Sequence, residues 1–79
     1  PLVVEVADST LRSDLQIKVP LYSDAGLAET WVVDINGQLI HRFRKPGKNG
    51  YSELATLLRD DEIALPDTTV KVPVREIVG

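Results

Sequence analysis

Three features of the sequence predict an α/β or α+β fold in which one helix covers a sheet. Residues 2–7 form a short, β-branched, apolar run that is typical of a buried strand. Residues 11–25 repeat apolar side chains with the period of a helix. Residues 30–44 hold two extended segments on either side of Asn36-Gly37, a pair typical of a β-hairpin turn. A strand, a helix and then further strands are therefore expected in this order.

The first strand, residues 2–7, is apolar on both faces except at Glu5. A strand of this kind normally lies inside a sheet, with a neighbour on each side. Because the chain enters this strand directly at Pro1, we expect further sequence to precede it. Residues 1–79 are then interpreted as the carboxyl-terminal portion of a larger domain.

The helix that follows is predicted over residues 11–25, with signals at both ends. Residues 8–10 are Asp, Ser and Thr, whose side-chain oxygens can cap the first turn of a helix. Gly26 is a common carboxyl-terminal stop. Pro20 lies within the helix and removes one backbone hydrogen bond, so a bend or a break is expected there.

The rest of the chain is predicted to be mainly extended. The hairpin pairs residues 30–34 with residues 38–44 through an Asn36-Gly37 turn, in which both central positions would have positive φ. Residues 51–58 are predicted as a third antiparallel strand, with a short helix as the alternative. Residues 70–74 alternate valine with other residues, as an edge strand does.

The composition excludes several classes of function. The chain has no cysteine and a single histidine, His41, so neither a thiolate centre nor a histidine cluster can hold a metal. A metal site would therefore use oxygen ligands. No apolar run approaches the ~20 residues that span a bilayer, so a soluble, cytoplasmic protein is expected. The net charge of -3 implies that any contact with nucleic acid depends on a local patch.

One basic stretch, residues 41–45 together with Lys48, is a candidate for that patch. Its His, Arg and Lys side chains could contact a phosphate backbone. A solvated hairpin edge, in which lysine discourages unwanted strand pairing, explains the same residues equally well. Both interpretations stay open on the sequence alone. Trp31 and Tyr51 are interpreted as core or sheet-face aromatic residues rather than as platforms for stacked bases.

Glu5 and Lys18 break the apolar pattern of the first two elements. Side chains alternate along a strand, so Glu5 projects from the middle of an apolar face. On a helical wheel of about 100° per residue, Lys18 falls inside an apolar stripe that includes Leu21, together with Asp14. Ser23 falls on the opposite, polar face. We therefore expect Lys18 and Asp14 to point inward, toward the strand that carries Glu5.

A carboxylate and an ammonium that converge in this way suit phosphodiester hydrolysis. A glutamate oxygen is a hard ligand for Mg²⁺ or Mn²⁺, and a nearby lysine can orient or help deprotonate the attacking water. At least one more ligand would be needed, from an adjacent strand. A buried Glu5 and Lys18 can equally form a structural ion pair, and Lys18 can extend its ammonium into water. Asp14 is interpreted as an i,i+4 partner of Lys18 without a catalytic role.

An ordered set of short segments runs through most of the chain. It comprises Leu2-Val3-Val4-Glu5-Val6, Asp8-Ser9-Thr10-Leu11, Asp14, Lys18, Leu21-Tyr22, Ala25-Gly26-Leu27, Glu29, Trp31-Val32-Val33-Asp34 and Gly50-Tyr51. In this order and spacing the chain resembles the Uma2 family of restriction-type endonucleases. The resemblance implies a restriction-endonuclease-like fold of the PD-(D/E)XK type, an α/β fold with a mixed sheet and a flanking helix.

The same resemblance implies roles for particular residues. Glu5 and the backbone carbonyl of Val6 would be metal ligands, and Lys18 would be the catalytic lysine, moved from the strand to the helix. Ala7 stands where the usual Glu-X-Lys pattern has its lysine, in agreement with the moved position. The implied function is a metal-dependent endonuclease that hydrolyses DNA phosphodiester bonds, with Mg²⁺ or Mn²⁺ as cofactor and DNA as partner.

The family's aspartate on the preceding strand has no counterpart after Pro1, so residues 1–79 alone are expected to show little or no cleavage. The alternative function is a non-catalytic dimerisation or interaction module. In that module residues 31–44 would pair with a second copy to give a homodimer, and Glu5 and Lys18 would form a structural ion pair.

Overall fold

The computed structural model describes residues 2–7 and 12–79, with only the backbone of residues 12–15. The predicted cap at residues 8–10 and the side chain of Asp14 lie outside the described part. That part contains six strands and two helices. In chain order they are β1 (Leu2–Ala7), α1 (Arg12–Asp24), β2 (Glu29–Asp34), β3 (Leu39–Gly47), β4 (Gly50–Leu58), β5 (Glu62–Ala64), β6 (Lys71–Pro73) and α2 (Val74–Val78).

Four of the strands form one mixed sheet, in the order β1-β2-β3-β4. β1 and β2 are parallel, whereas β2, β3 and β4 form antiparallel pairs. A parallel pair needs a crossover connection, and α1 provides it. β5 and β6 form a separate antiparallel pair. The predicted α/β class, with a mixed sheet and a flanking helix, is confirmed. Within the described residues β1 lies at the sheet edge, so the second neighbour expected for it is not found there.

The larger core lies between one face of the four-stranded sheet and the elements at the carboxyl end of the chain. Trp31, Val33 and Ile40 point to this side and are almost completely buried. Ile63 of β5 and Val74 of α2 pack against them. Burying one large apolar side chain contributes about 1.5–3 kcal/mol, so this cluster is the main source of stability. Trp31 is therefore a core residue, as predicted.

The opposite face of the sheet is covered by α1. Ala7 and Val32 are buried there against Val19 of the helix. Glu5 shares this face, because it pairs with Val32 in the register of β1 and β2 and lies two residues before Ala7. Glu5 therefore projects toward the helix from an apolar strand face, as the alternation along β1 predicts.

Helix α1 ends where the sequence predicts. Gly26 has a φ of 77°, and its N–H donates to the Ser23 carbonyl at 2.9 Å. The N–H of Leu27 donates to the Tyr22 carbonyl at 3.1 Å, which completes the usual glycine stop. The helix is continuous through Pro20, so a break at this residue is not observed.

The rotation of α1 about its own axis differs from the prediction. Leu21 is 58% exposed, whereas Ser23 is only 3% exposed, so the predicted apolar stripe is wrong. The helix packs on β3 and β4 as well as above β1. Val19 and Ser23, one helical turn apart, form its buried side because this is the side that meets the sheet. Packing therefore overrides hydrophobic periodicity here.

The first hairpin turn is longer than predicted. It spans residues 35–38, and positive φ occurs at Gln38 rather than at Asn36 and Gly37. The Asp34 carboxylate accepts a hydrogen bond from the N–H of Gly37 at 2.8 Å. Side chains of this type commonly hold a turn by bonding to backbone a few residues ahead. The predicted two-residue turn is therefore wrong.

The carboxyl-terminal half agrees with the prediction in part. Residues 51–58 lie in β4, so the strand is confirmed over the helix. β3 and β4 are joined by a tight turn at residues 48 and 49. The edge strand predicted over residues 70–74 is correct only for residues 71–73, because β6 begins at Lys71 and ends at Pro73, and Val74 begins α2.

Candidate functional site

Glu5 and Tyr22 form the centre of the candidate site. Glu5 is half-buried in the middle of β1 and faces α1. The Tyr22 hydroxyl donates a hydrogen bond to Glu5 Oε1. This contact follows from the crossover, because α1 must return above the strand before β2 can run parallel to β1. Tyr22 therefore holds the Glu5 carboxylate in one orientation.

The contact raises the pKa of Tyr22 above its ordinary value of 10.0. The hydrogen bond to Glu5 is the largest cause, burial is the second, and the negative charge of Glu5 is the third. Tyr22 is therefore a neutral hydrogen-bond donor at neutral pH. The sequence resemblance includes Tyr22, but only the structure shows that its partner is Glu5.

We expect Tyr22 to ionise above pH 10.0 in the folded protein. The Tyr51→Phe variant leaves Tyr22 as the single tyrosine, so tyrosinate absorbance reports its titration alone. Adding Glu5→Gln should lower the pKa of Tyr22, because the amide is uncharged and accepts a weaker hydrogen bond.

The sign of the linked stability effect follows from the raised pKa. The hydrogen bond between Tyr22 and Glu5 stabilises the folded state fully at pH values below 10.0, the ordinary pKa of tyrosine. This stabilisation declines as pH rises through the folded-state pKa of Tyr22. A Tyr22 titration that does not change between Glu5 and Glu5→Gln proteins would contradict the contact.

Lys18 lies one helical turn before Tyr22, and its side chain is exposed. The adjacent Val19 packs against the cluster of Ala7 and Val32, so this turn of α1 lies above β1 and β2. No ion pair joins Lys18 to Glu5 in the part of the chain that the structure describes. The expectations of an inward Lys18 and of a structural Glu5/Lys18 ion pair are therefore wrong. The helix rotation that buries Ser23 turns Lys18 outward, although it remains on the turn next to Tyr22.

The described residues supply only part of a metal site. Among them, no group of three or more His, Cys, Asp and Glu side chains is arranged to hold a metal ion. Glu5 can offer one carboxylate, and Val6 can offer a backbone carbonyl. Asp34 lies on the same sheet face, but its carboxylate accepts the Gly37 N–H in the adjacent turn. Mg²⁺ binds six oxygens, several of them usually from water, so one carboxylate and one carbonyl fit the ion as part of its ligand set.

Glu29 is a buried carboxylate whose role the sequence alone does not assign. It is 5% exposed, at the start of β2 and on the face opposite Glu5. The Trp31 indole N–H donates to Glu29 Oε2 at 2.5 Å, and Arg44 Nε donates to Oε1 at 2.8 Å. Glu29 and Arg44 are direct neighbours in the register of β2 and β3. The Glu-X-Trp spacing is visible in the sequence, but Arg44 can be identified only once the register is known.

The basic stretch at residues 41–45 lies in β3, between β2 and β4, so its interpretation as a hairpin edge is wrong. Lys45 Nζ lies 3.3 Å from Glu53 Oε2. The guanidinium groups of Arg42 and Arg44 lie 4.0 and 3.9 Å from Glu53 Oε1. A phosphate backbone would have to compete with this carboxylate for the same cations. The stretch is therefore less suited to DNA than its sequence suggests.

The sequence matches a known family. The family model of Uma2, described as "Putative restriction endonuclease", matches residues 1–74 of the 79-residue chain. A comparison with curated proteins gave no match. In the described residues, neither helix has the length and apolar character needed to cross a membrane. The mixed sheet and flanking helix are consistent with a restriction-endonuclease-like fold. Because the match covers nearly the whole chain, the chain belongs to the Uma2 family.

Proposed function

We propose that this chain forms part of a metal-dependent endonuclease that hydrolyses DNA phosphodiester bonds. The description of its family supports an endonuclease. The observation that carries the proposal is the half-buried Glu5 on an otherwise apolar strand face, held by the hydroxyl of Tyr22. The neighbouring turn of α1 presents Lys18. A positioned carboxylate beside an exposed lysine provides two of the groups that such hydrolysis uses.

Each of these residues has a distinct proposed role. Glu5 and the Val6 carbonyl would be ligands of Mg²⁺ or Mn²⁺, and Tyr22 would position Glu5 through Oε1. The bound ion would supply Lewis acidity toward the phosphate. Lys18 has the length and exposure to contact the phosphate or the attacking water when DNA is bound.

The remaining metal ligands are proposed to come from a strand that pairs with β1. Among the described residues β1 has β2 as its neighbour on one side, and its other edge is unpaired. Val4 and Val6 are about half exposed on the face away from α1. A further strand would pair this edge, cover part of these valines and place an aspartate beside Glu5. Residues 1–79 would then be the carboxyl-terminal portion of a PD-(D/E)XK nuclease-like domain.

Plasmid nicking by the full-length protein in Mg²⁺ tests the catalytic roles. The Glu5→Gln and Lys18→Met variants should each lower the nicking rate by about 100-fold or more, because a metal ligand or a group acting on water is lost. Lys71→Met is the matched control: it removes an exposed lysine on β6, which packs on the other side of the sheet. This control should stay within about twofold of the wild-type rate. Nicking that survives Glu5→Gln unchanged would exclude the proposed role of Glu5.

Metal binding provides a second readout that does not depend on turnover. In a calorimetric titration with Mn²⁺, Glu5→Gln should weaken binding by about tenfold or more. Lys18→Met should leave the Mn²⁺ affinity nearly unchanged, because an ammonium is not a metal ligand. Equal Mn²⁺ affinities of the wild-type and Glu5→Gln proteins would contradict the metal site, whatever the nicking rates.

The alternative function, a non-catalytic dimerisation or interaction module, leads to different results. It requires that the Glu5 and Lys18 variants behave as the wild-type protein does. Residues 31–44 are poorly placed to pair with a second copy, because β2 and β3 each have two neighbouring strands. A dimer would therefore have to use another surface.

A further inference from the structure

We propose that β4 pairs with β4 of a second copy of this chain, antiparallel and centred on Leu54. Within the described residues β4 is an outer strand of the four-stranded sheet, at the end opposite β1. The pairing would join two such sheets into one across a twofold axis. It is independent of the endonuclease chemistry, because the candidate site lies at the other end of the sheet.

The hydrogen bonds at the end of β4 show which of its backbone groups point outward. The Leu58 N–H donates to Asp61 Oδ2 at 2.8 Å, and the Leu58 carbonyl accepts the Asp61 N–H at 2.9 Å. Both groups of Leu58 therefore point away from β3. Alternate residues of an antiparallel strand point the same way, so Ser52, Leu54 and Thr56 also present their N–H and C=O groups outward.

The same strand lacks the features that normally protect a sheet edge. Leu54 is 61% exposed, and Leu58 is 57% exposed. The strand sequence GYSELATLL contains no lysine, arginine or proline, and its one charged residue is Glu53. Natural edge strands are usually protected from pairing by such residues. An exposed apolar edge without them is suited to pair with another strand.

A second copy is the partner because β4 is complementary to itself. With Leu54 opposite its own copy, Ser52 lies opposite Thr56, and Glu53 lies opposite Ala55. This register places no like charges opposite each other and brings two leucines together. The outward groups of the two strands would form about six backbone hydrogen bonds.

Sedimentation velocity over a range of concentrations tests the dimer. The wild-type protein should dimerise, and Leu54→Lys should raise the dimer Kd by about tenfold or more, because two like charges are placed opposite each other. Val70→Lys is the matched control, since Val70 is also an exposed aliphatic residue but lies outside β4. The dimer Kd of this control variant should equal that of the wild-type protein. Circular dichroism establishes that each variant is folded. A wild-type monomer at every concentration, or a folded Leu54→Lys dimer of unchanged Kd, would overturn the proposal.

Cysteine cross-linking tests the register. The chain contains no cysteine, so each single variant carries one thiol. Opposed residues of a hydrogen-bonded antiparallel pair have Cα atoms about 5.5 Å apart, within the range of a disulfide. Leu54→Cys should give a disulfide-linked dimer on a non-reducing gel, and Val70→Cys should not. A mixture of Ser52→Cys and Thr56→Cys proteins should cross-link more than either alone, and equal cross-linking in all cases would overturn this register.

Discussion

Replacement of Trp31 by alanine is expected to lower the free energy of unfolding by about 3–5 kcal/mol. Trp31 is 3% exposed and packs in the main core with Val33 and Ile40. Alanine would leave a large cavity and would also remove the N–H donor to buried Glu29. Native domains have a total stability of about 5–15 kcal/mol, so a loss of this size is a large fraction of the total.

Urea unfolding followed by circular dichroism measures this effect without the tryptophan signal. Trp31→Phe is the control variant, because it keeps much of the apolar volume while it removes the indole donor. The phenylalanine variant should lose about 1–2 kcal/mol of unfolding free energy. If the alanine variant loses no more unfolding free energy than the phenylalanine variant, Trp31 does not have the packing role that its burial indicates.

The Arg44→Met variant is expected to lose about 2–4 kcal/mol of unfolding free energy. It leaves the Glu29 carboxylate buried with the Trp31 indole as its remaining donor. Breaking a buried ion pair on one side is costly because the remaining charge is not compensated. The expected value is below that of a fully buried pair, because the Arg44 side chain is 31% exposed and solvent screens part of its charge.

A double variant separates the loss of the charge pair from the loss of packing. Replacing Glu29 and Arg44 together by methionine removes both charges and should recover much of the lost unfolding free energy. Arg75→Met, which changes an exposed arginine on α2, should have little effect. A double variant as unstable as Arg44→Met alone would show that the cost does not come from the unpaired Glu29.

The two carboxylates on opposite faces of the sheet differ in what they can do. Both oxygens of Glu29 accept hydrogen bonds, one of them from a guanidinium, so its charge and its acceptor capacity are used inside the protein. Glu5 is held through one oxygen by a neutral phenol. A carboxylate with this arrangement has acceptor capacity left for a cation or a ligand, which is why Glu5 and not Glu29 is the candidate site residue.

Much of the backbone follows from local sequence patterns. Alternation and β-branched composition predicted β1, β2 and the strand at β4, and Gly26 predicted the end of α1. The turn after β2 was mispredicted because the Asp34 carboxylate, rather than the Asn36-Gly37 pair, sets its conformation. A side chain that bonds to backbone three residues ahead competes with the intrinsic preference of the turn residues.

The residues alone determine the α/β class, the helix-facing position of Glu5 and the burial of Trp31. These features depend on the period of a strand or helix and on its order in the chain. The rotation of α1, the Tyr22 contact with Glu5 and the pairing of Glu29 with Arg44 required the folded structure. Each depends on how one element packs or registers against another. α1 carries apolar side chains on more than one side, so only its contact with the sheet decides that Ser23 is buried while Leu21 and Lys18 face outward.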